Sequence, residues 1–357
     1  MKAKSEKTKR PDKSELIRYA PAYEVWTQKI GTNSEILFKH YFDTGERKIV
    51  ARYGSQKGGF SYREALQTMQ RLATYQKNLE ELHIPVSPIE QLILEYDPSS
   101  QRAVITKVSP WVGTEVSALL ERSGPGDAPF IRDLVGKMMS ILQPVCKMRW
   151  RGWETRIGID PRAANFTLDA AGKIWFVDVF PPRYRHKKGP LVEWPEPRSR
   201  LGRTLGYFKH YDVRGIILCF VSQLGRANPA LRTLTESMVF DSLDKLLSEK
   251  ERALFIQGIE QTSWKKVRSL INAHSSLSRA DKRRIIAFIR GAAREQVFRR
   301  PYYVYALREI ALELAAAGLM SSDSLEEFFR KSHFEDKFPS GKLQELEQHL
   351  SSIVRSA

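Results

Sequence analysis

Two carboxylates and one amide define the chemistry this chain could perform. Asp160 stands five residues before Asn165, and Asp178 follows Asn165 by 13, after the apolar run Ile174-Trp175-Phe176-Val177. Asn165 to Leu168 and Ile174 to Val177 read as two short strands. Asp169-Ala170-Ala171-Gly172-Lys173 reads as the turn between them. Such a hairpin holds Asn165 near its start and Asp178 just past its end. Both could offer oxygen to one hard cation, with Asp160 close by to meet a hydroxyl. Phosphoryl transfer uses these parts: a metal to neutralise phosphate charge and a carboxylate to orient the attacking oxygen. An ordinary hairpin, with Asp160 capping a turn and Asp178 ending a strand, explains the same spacing without chemistry.

The elements that must position these groups can be read in chain order. Tyr23 to Ile30, Glu35 to Phe42 and Lys48 to Tyr53 are strand-like, with turns at Gly31-Thr32-Asn33-Ser34 and Asp43-Thr44-Gly45-Glu46. Ser61 to His83 has helical apolar spacing, and Ser61 with Glu64 forms a capping box. Gln91 to Tyr96 and Ala103 to Val108 are two more strands. The order is therefore β-β-β-α-β-β. Thr114 to Leu120 begins a short helix, and Phe130 to Trp150 reads as a long amphipathic one interrupted by Pro144. Phe180 to Arg203 has no helical period and is rich in proline, arginine and lysine. Gly206 to Leu224 is strongly apolar, and from Thr233 onward the spacing is helical. Arg149, Arg151, Arg156 and Arg162 crowd the approach to Asp160. Arg162 lies within the loop itself and is the candidate anion site beside a phosphoryl acceptor; a solvated basic face is the plainer reading.

The order Asp-x4-Asn, turn, apolar strand, Asp resembles the catalytic loop and metal-binding aspartate of the protein-kinase-like superfamily. It is nearest the small-molecule branch, the aminoglycoside and choline phosphotransferases. The H-R-D and D-F-G patterns of protein kinases stand here as Gly158-Ile159-Asp160 and Asp178-Val179-Phe180. The resemblance implies an α+β fold of two lobes, a small antiparallel sheet with one helix and a large, mainly helical lobe. It divides the chain into a basic tail (1–20), an N-lobe (21–108), a C-lobe core with the catalytic loop (109–232) and a helical remainder (233–357). It implies ATP and Mg²⁺, with Asp160 catalytic and Asn165 and Asp178 holding the metal. Arg52 would stand where the family has a phosphate-binding lysine, paired with Glu64, with Lys39 or Lys48 as substitutes. Glu64 cannot serve both that pair and the capping box. Backbone groups from Lys107 to Ser109 would face the nucleobase, and Asp212 would brace the catalytic loop. The glycine-poor loop at Gly31 and the absent histidine before Asp160 depart from the family pattern.

Composition narrows the partners. A chain of 357 residues can bury a large core. Its two cysteines, Cys146 and Cys219, without C-x-x-C spacing, argue against a disulfide framework or structural zinc and fit a reducing cytoplasm. The formal charge of +17 suits phosphorylated, nucleic-acid or anionic-surface partners. No apolar run is long enough for a membrane span, and Met1 to Ser14 lacks the apolar core of a secretory signal. The leading expectation is an ATP- and Mg²⁺-dependent phosphotransferase acting on a hydroxyl of a small molecule, the basic surroundings tilting toward an anionic one. A catalytically degraded kinase-like scaffold is the alternative, and a basic nucleic-acid binder the third.

Overall fold

The computed structural model describes residues 23–30, 34–42, 44–186, 189–190 and 207–261. The expected basic tail, most of the Gly31 loop, the end of the proline-rich stretch and the helices beyond residue 261 lie outside the described residues. The protein is α+β. It divides into two compact units, one of Met1–Met69 with Pro88–Trp111, the other of Gln70–Ser87 with Val112–Ala357.

The first unit is built on a five-stranded antiparallel sheet. Its strands are β1 (Tyr23–Ile30), β2 (Ser34–Tyr41), β3 (Arg47–Tyr53), β4 (Gln91–Asp97) and β5 (Arg102–Pro110), in the order β1-β2-β3-β5-β4. The meander β1-β2-β3 follows from three β-rich runs separated by short polar stretches of sequence. The β4–β5 connection is locked by Asp97, which accepts hydrogen bonds from the Ser99 amide at 2.9 Å and the Ser99 and Ser100 hydroxyls at 2.7 Å. Along β5, Ala103, Ile105, Lys107 and Ser109 are buried at alternate positions, as the two-residue period of a strand requires.

The helix α1 (Tyr62–Glu81) starts in this unit. Its capping box forms as the sequence suggests. Glu64 Oε2 accepts from the Ser61 amide at 2.9 Å and the Ser61 hydroxyl at 2.8 Å. The Glu64 amide donates back to Ser61 Oγ at 3.3 Å. Two orphan amides of the helix start are thereby satisfied. Ser61→Ala should cost about 1 kcal/mol, read as a lower urea midpoint at unchanged slope.

The second unit is mainly helical: α2 (Val116–Arg122), α3 (Ala128–Lys147), α4 (Val213–Ala227), α5 (Arg232–Asp241) and α6 (Glu249–Gln261). The buried stripe of α3 runs through Ile131, Leu134, Met138, Ile141, Leu142 and Val145, the i, i+3, i+4 face of an amphipathic helix. α4 is buried along almost its whole length, and both α3 and α4 lie against α5. Pro144 stays inside α3. The expected helix from Phe130 to Trp150 stops earlier, at Lys147. Arg149–Arg151 forms strand β7 and pairs with β8 (Glu154–Thr155) across a turn in which Gly152 has φ +54°. A left-handed glycine ends helical propagation and reverses the chain.

The hairpin read from the sequence is present as β9 (Phe166–Leu168) and β10 (Ile174–Phe176), with Ile174 opposite Leu168 and Phe176 opposite Phe166. A short strand β6 (Thr114–Glu115) adds to β9. Gly113, just before β6, has φ +119°, and a Cβ there would fall 2.2 Å from the Leu168 carbonyl oxygen. Only glycine allows that approach. Cys146 and Cys219 are free and buried, and burial pushes the Cys146 thiol up to about 12. Among the described residues no helix is long and apolar enough to cross a membrane.

Candidate active site

The loop bearing Asp160 is held from several sides within the helical unit. The Tyr75 hydroxyl, fully buried on α1, donates to the Gly158 carbonyl at 2.7 Å. The Gly158 amide donates to the Arg183 carbonyl at 2.8 Å. The Ile159 amide donates to the His210 carbonyl at 3.1 Å, and His210 Nδ1 returns a bond to the Ile159 carbonyl at 3.1 Å. Gly158 makes this closure possible. A Cβ there would meet the Tyr211 ring at 2.9 Å and Arg183 Cβ at 3.0 Å.

Asp212 does not brace this loop. It caps α4, accepting from the Arg214 amide at 2.9 Å, and pairs with the Arg214 guanidinium at 2.6 Å. A carboxylate at a helix start finds free amides beside it, so the bracing passes to His210, two residues earlier.

The three residues singled out by spacing come together. A tight turn at Ala163–Asn165 swings Asn165 inward. Its Nδ2 donates to the Asp160 carbonyl at 3.1 Å and to Asp178 Oδ2 at 3.1 Å. The Val177 amide donates to the Asn165 carbonyl at 3.0 Å, joining the two ends of the hairpin. Both partners of the Asn165 amide group are acceptors, so its nitrogen must face them and its Oδ1 must face away.

Arg162 also joins the cluster, with NH2 at 2.8 Å from Asp160 Oδ2 and 4.0 Å from Asp178 Oδ2. Two cations that the sequence did not single out complete it. Arg183 bridges both carboxylates, at 3.5 Å from Asp160 and 3.4 Å from Asp178, and Lys209 Nζ stands 4.0 Å from Asp160. Two carboxylates thus lie among three cationic side chains. Asp160 is 1 % exposed, whereas the side chains of Asp178 and Arg162 are 20 % and 37 % exposed. The cluster therefore opens on the side of Asp178 and Arg162.

The two carboxyls respond oppositely to this setting. Burial pushes Asp160 up, but Arg162, Lys209, His210 and Arg183 together outweigh it and hold Asp160 well below the usual carboxylate range. For Asp178, burial prevails: with the Asp160 charge added, it outweighs Arg183 and Arg162, and the carboxyl is raised. Arg162 is held more firmly protonated, chiefly by Asp160. Asp160 Oδ1 is buried and has no hydrogen-bond partner among the described residues.

The donor types suit magnesium in part of this cluster. Mg²⁺ binds through one or two carboxylates plus phosphate oxygens and waters. Asp178 could supply the carboxylate, and Asn165 its amide oxygen once the side chain turns over and gives up the Nδ2 bond to Asp178. Among the described residues no set of three histidine, cysteine or carboxylate side chains could hold a metal unaided, so phosphate would have to complete the shell.

The remaining expected site residues belong to the sheet unit. Arg52 does not meet Glu64. Cross-strand register sets it opposite Glu35, which it bonds at 3.1 Å, and it bonds Glu95 on β4 at 3.1 Å as well. Glu64 is claimed by its own helix cap. Lys48, one of the two proposed substitutes, pairs with Glu90 at 2.9 Å and Glu46 at 3.0 Å. Lys107 lies between Ala51 and Leu92 in the sheet, and the Val108 carbonyl accepts from the Glu90 amide at 2.9 Å. Its backbone is ladder, not a free edge for a nucleobase. The Lys107 side chain is buried on the face opposite Arg52, and Ser109 is buried beside it at the end of β5.

A separate cavity of about 290 Å³ in the helical unit, lined by residues including His83, Lys137 and Lys173, shares no residue with the carboxylate cluster. No protein-family model matches this chain, and no curated protein matches it.

Proposed function

We propose that this protein is a two-lobed, protein-kinase-like phosphotransferase, the sheet unit serving as the small lobe and the helical unit as the large one. It would move the γ-phosphoryl group of ATP to a hydroxyl of a small molecule. One observation carries this reading: the Asn165 amide joins the Asp160 main-chain carbonyl to the Asp178 carboxylate, at 3.1 Å from each, while Arg183 spans the two carboxylates.

Each residue then has a distinct task. Asp178 and Asn165 would hold magnesium, which when bound neutralises phosphate charge. Asp160 receives the acceptor hydroxyl at Oδ1, the oxygen with no hydrogen-bond partner among the described residues, because Arg162 occupies Oδ2. A carboxylate held so far below its usual range is a poor proton acceptor. Asp160 therefore orients the hydroxyl first and takes its proton late, as a loose phosphoryl transition state permits. Arg162, at the open side, attracts the anionic end of the acceptor or the transferring phosphate.

Calorimetric titration with ATP, with and without Mg²⁺, tests this. Binding at millimolar concentration or tighter that depends on the metal supports it. No heat at millimolar nucleotide sinks it. The second reading, a kinase-like scaffold that no longer transfers phosphate, is favoured by Arg52, whose guanidinium is committed to Glu35 and Glu95. It predicts that same lack of binding.

A further inference from the structure

The β7–β8 hairpin carries a feature that phosphoryl transfer leaves unused. Trp150 is 57 % exposed. The Arg185 guanidinium lies 5.3 Å from its ring centroid and that of Arg156 5.9 Å. Across the turn, Trp153 is flanked by Arg214 at 5.2 Å and Arg149 at 5.8 Å. Arg185 also reaches the Tyr207 ring at 5.5 Å, and Tyr207 stacks on Tyr211 at 5.4 Å with planes 12° apart. Guanidinium groups thus lie over both indoles and over the Tyr207 ring.

Part of the pattern is structural. Arg149, Arg185 and Arg214 have carboxylate partners in Glu251, Glu154 and Asp212, so they order the hairpin. Arg151 and Arg156 differ. Both are exposed, and among the described residues neither forms an ion pair. Arg156 lies against the exposed Trp150 ring, and Arg151 is the next residue of β7, so an open indole has two unpaired cations in its vicinity.

A single-stranded nucleotide matches that combination, with a flat base to stack and a phosphate on either side. A lipid surface would call for several bulky apolar side chains projecting together, and here Trp150 projects among charges. We propose that the β7–β8 hairpin docks single-stranded nucleic acid, Trp150 stacking a base and Arg151 and Arg156 holding the adjoining phosphates. The chain's +17 charge raises local polyanion concentration but does not select this face. The proposal does not rest on the phosphotransferase reading.

Anisotropy of a labelled single-stranded RNA oligonucleotide, titrated with the full chain across a salt series, tests it. Trp150→Ala should weaken binding on the order of tenfold. The double variant Arg151→Gln, Arg156→Gln should weaken it too, and flatten the slope of log Kd against log salt by about 1.4, two phosphate contacts' worth. All three side chains are exposed, so the fold should survive these changes. RNA binding that Trp150→Ala does not move overturns the proposal, because the general charge of the chain then accounts for it. No RNA binding, with or without capture by anionic phosphatidylserine vesicles, overturns it as well.

Discussion

An Asp160→Asn variant is expected to lose turnover roughly 10²–10⁴-fold while retaining Mg²⁺–ATP binding. The amide keeps the shape of the carboxylate but can neither accept a proton nor balance charge. The same change should destabilise the fold. Arg162, Arg183 and Lys209 converge on Asp160 Oδ2 at 2.8, 3.5 and 4.0 Å. Removing one member of a buried ion-paired set typically costs about 3–5 kcal/mol. Denaturation at several pH values checks the cause. The Asp160 carboxyl is depressed in the folded state, so its stabilisation is fully present above the unfolded carboxylate value of about 3.9. It is lost as pH falls through the lower folded value. The stability gap between wild type and variant should therefore hold from neutral pH down to about pH 4 and close in stronger acid. A variant with full turnover would show that Asp160 does not orient the acceptor.

Asp178→Asn should do the opposite to stability while removing function just as completely. The folded state raises this carboxyl, so the protonated form is favoured on folding and the ionised form costs stability at neutral pH. Asparagine removes that cost and still fits beside Asn165 and Arg183. The variant should be at least as stable as wild type at pH 7. Its advantage should fade as pH falls through the raised folded value toward the unfolded one. Metal-dependent nucleotide binding should vanish, because Asp178 is the carboxylate of the two proposed magnesium donors. Function and stability would then pull apart at one residue, as they often do at active sites. If Asp178→Asn proves as destabilising as Asp160→Asn, the assignment of opposite roles to the two carboxylates fails.

The local features of this chain could be read from neighbouring residues. The β9–β10 hairpin, the Ser61–Glu64 cap and the amphipathic face of α3 each depend on spacings of two to five residues, or on one turn. The convergence of Asp160, Asn165 and Asp178 could be read for the same reason. One tight turn and one hairpin connect all three. The helix expected through Trp150 stops at Lys147, because Arg149–Arg151 pairs as a strand in the hairpin that Gly152 turns.

The charge balance of the site was not legible in this way. Arg183 sits in a stretch with no period, and Lys209 and His210 arrive from almost 50 residues beyond Asp160. No short-range pattern announces such neighbours. Arg52 shows the same limit from the other side. Its position on a strand was evident, but strand register chose Glu35 and Glu95 as its partners and left Glu64 to its helix.

By itself, then, the sequence determined the α+β character, the sheet strands and the spacing that gathers two carboxylates and an amide, because those follow from backbone periodicity and turn chemistry. Tertiary structure alone decided which cations neutralise those carboxylates, which carboxyl is held ionised and which is raised, and that His210, not Asp212, supports the loop. Electrostatics acts through space, and only the folded chain sets those distances.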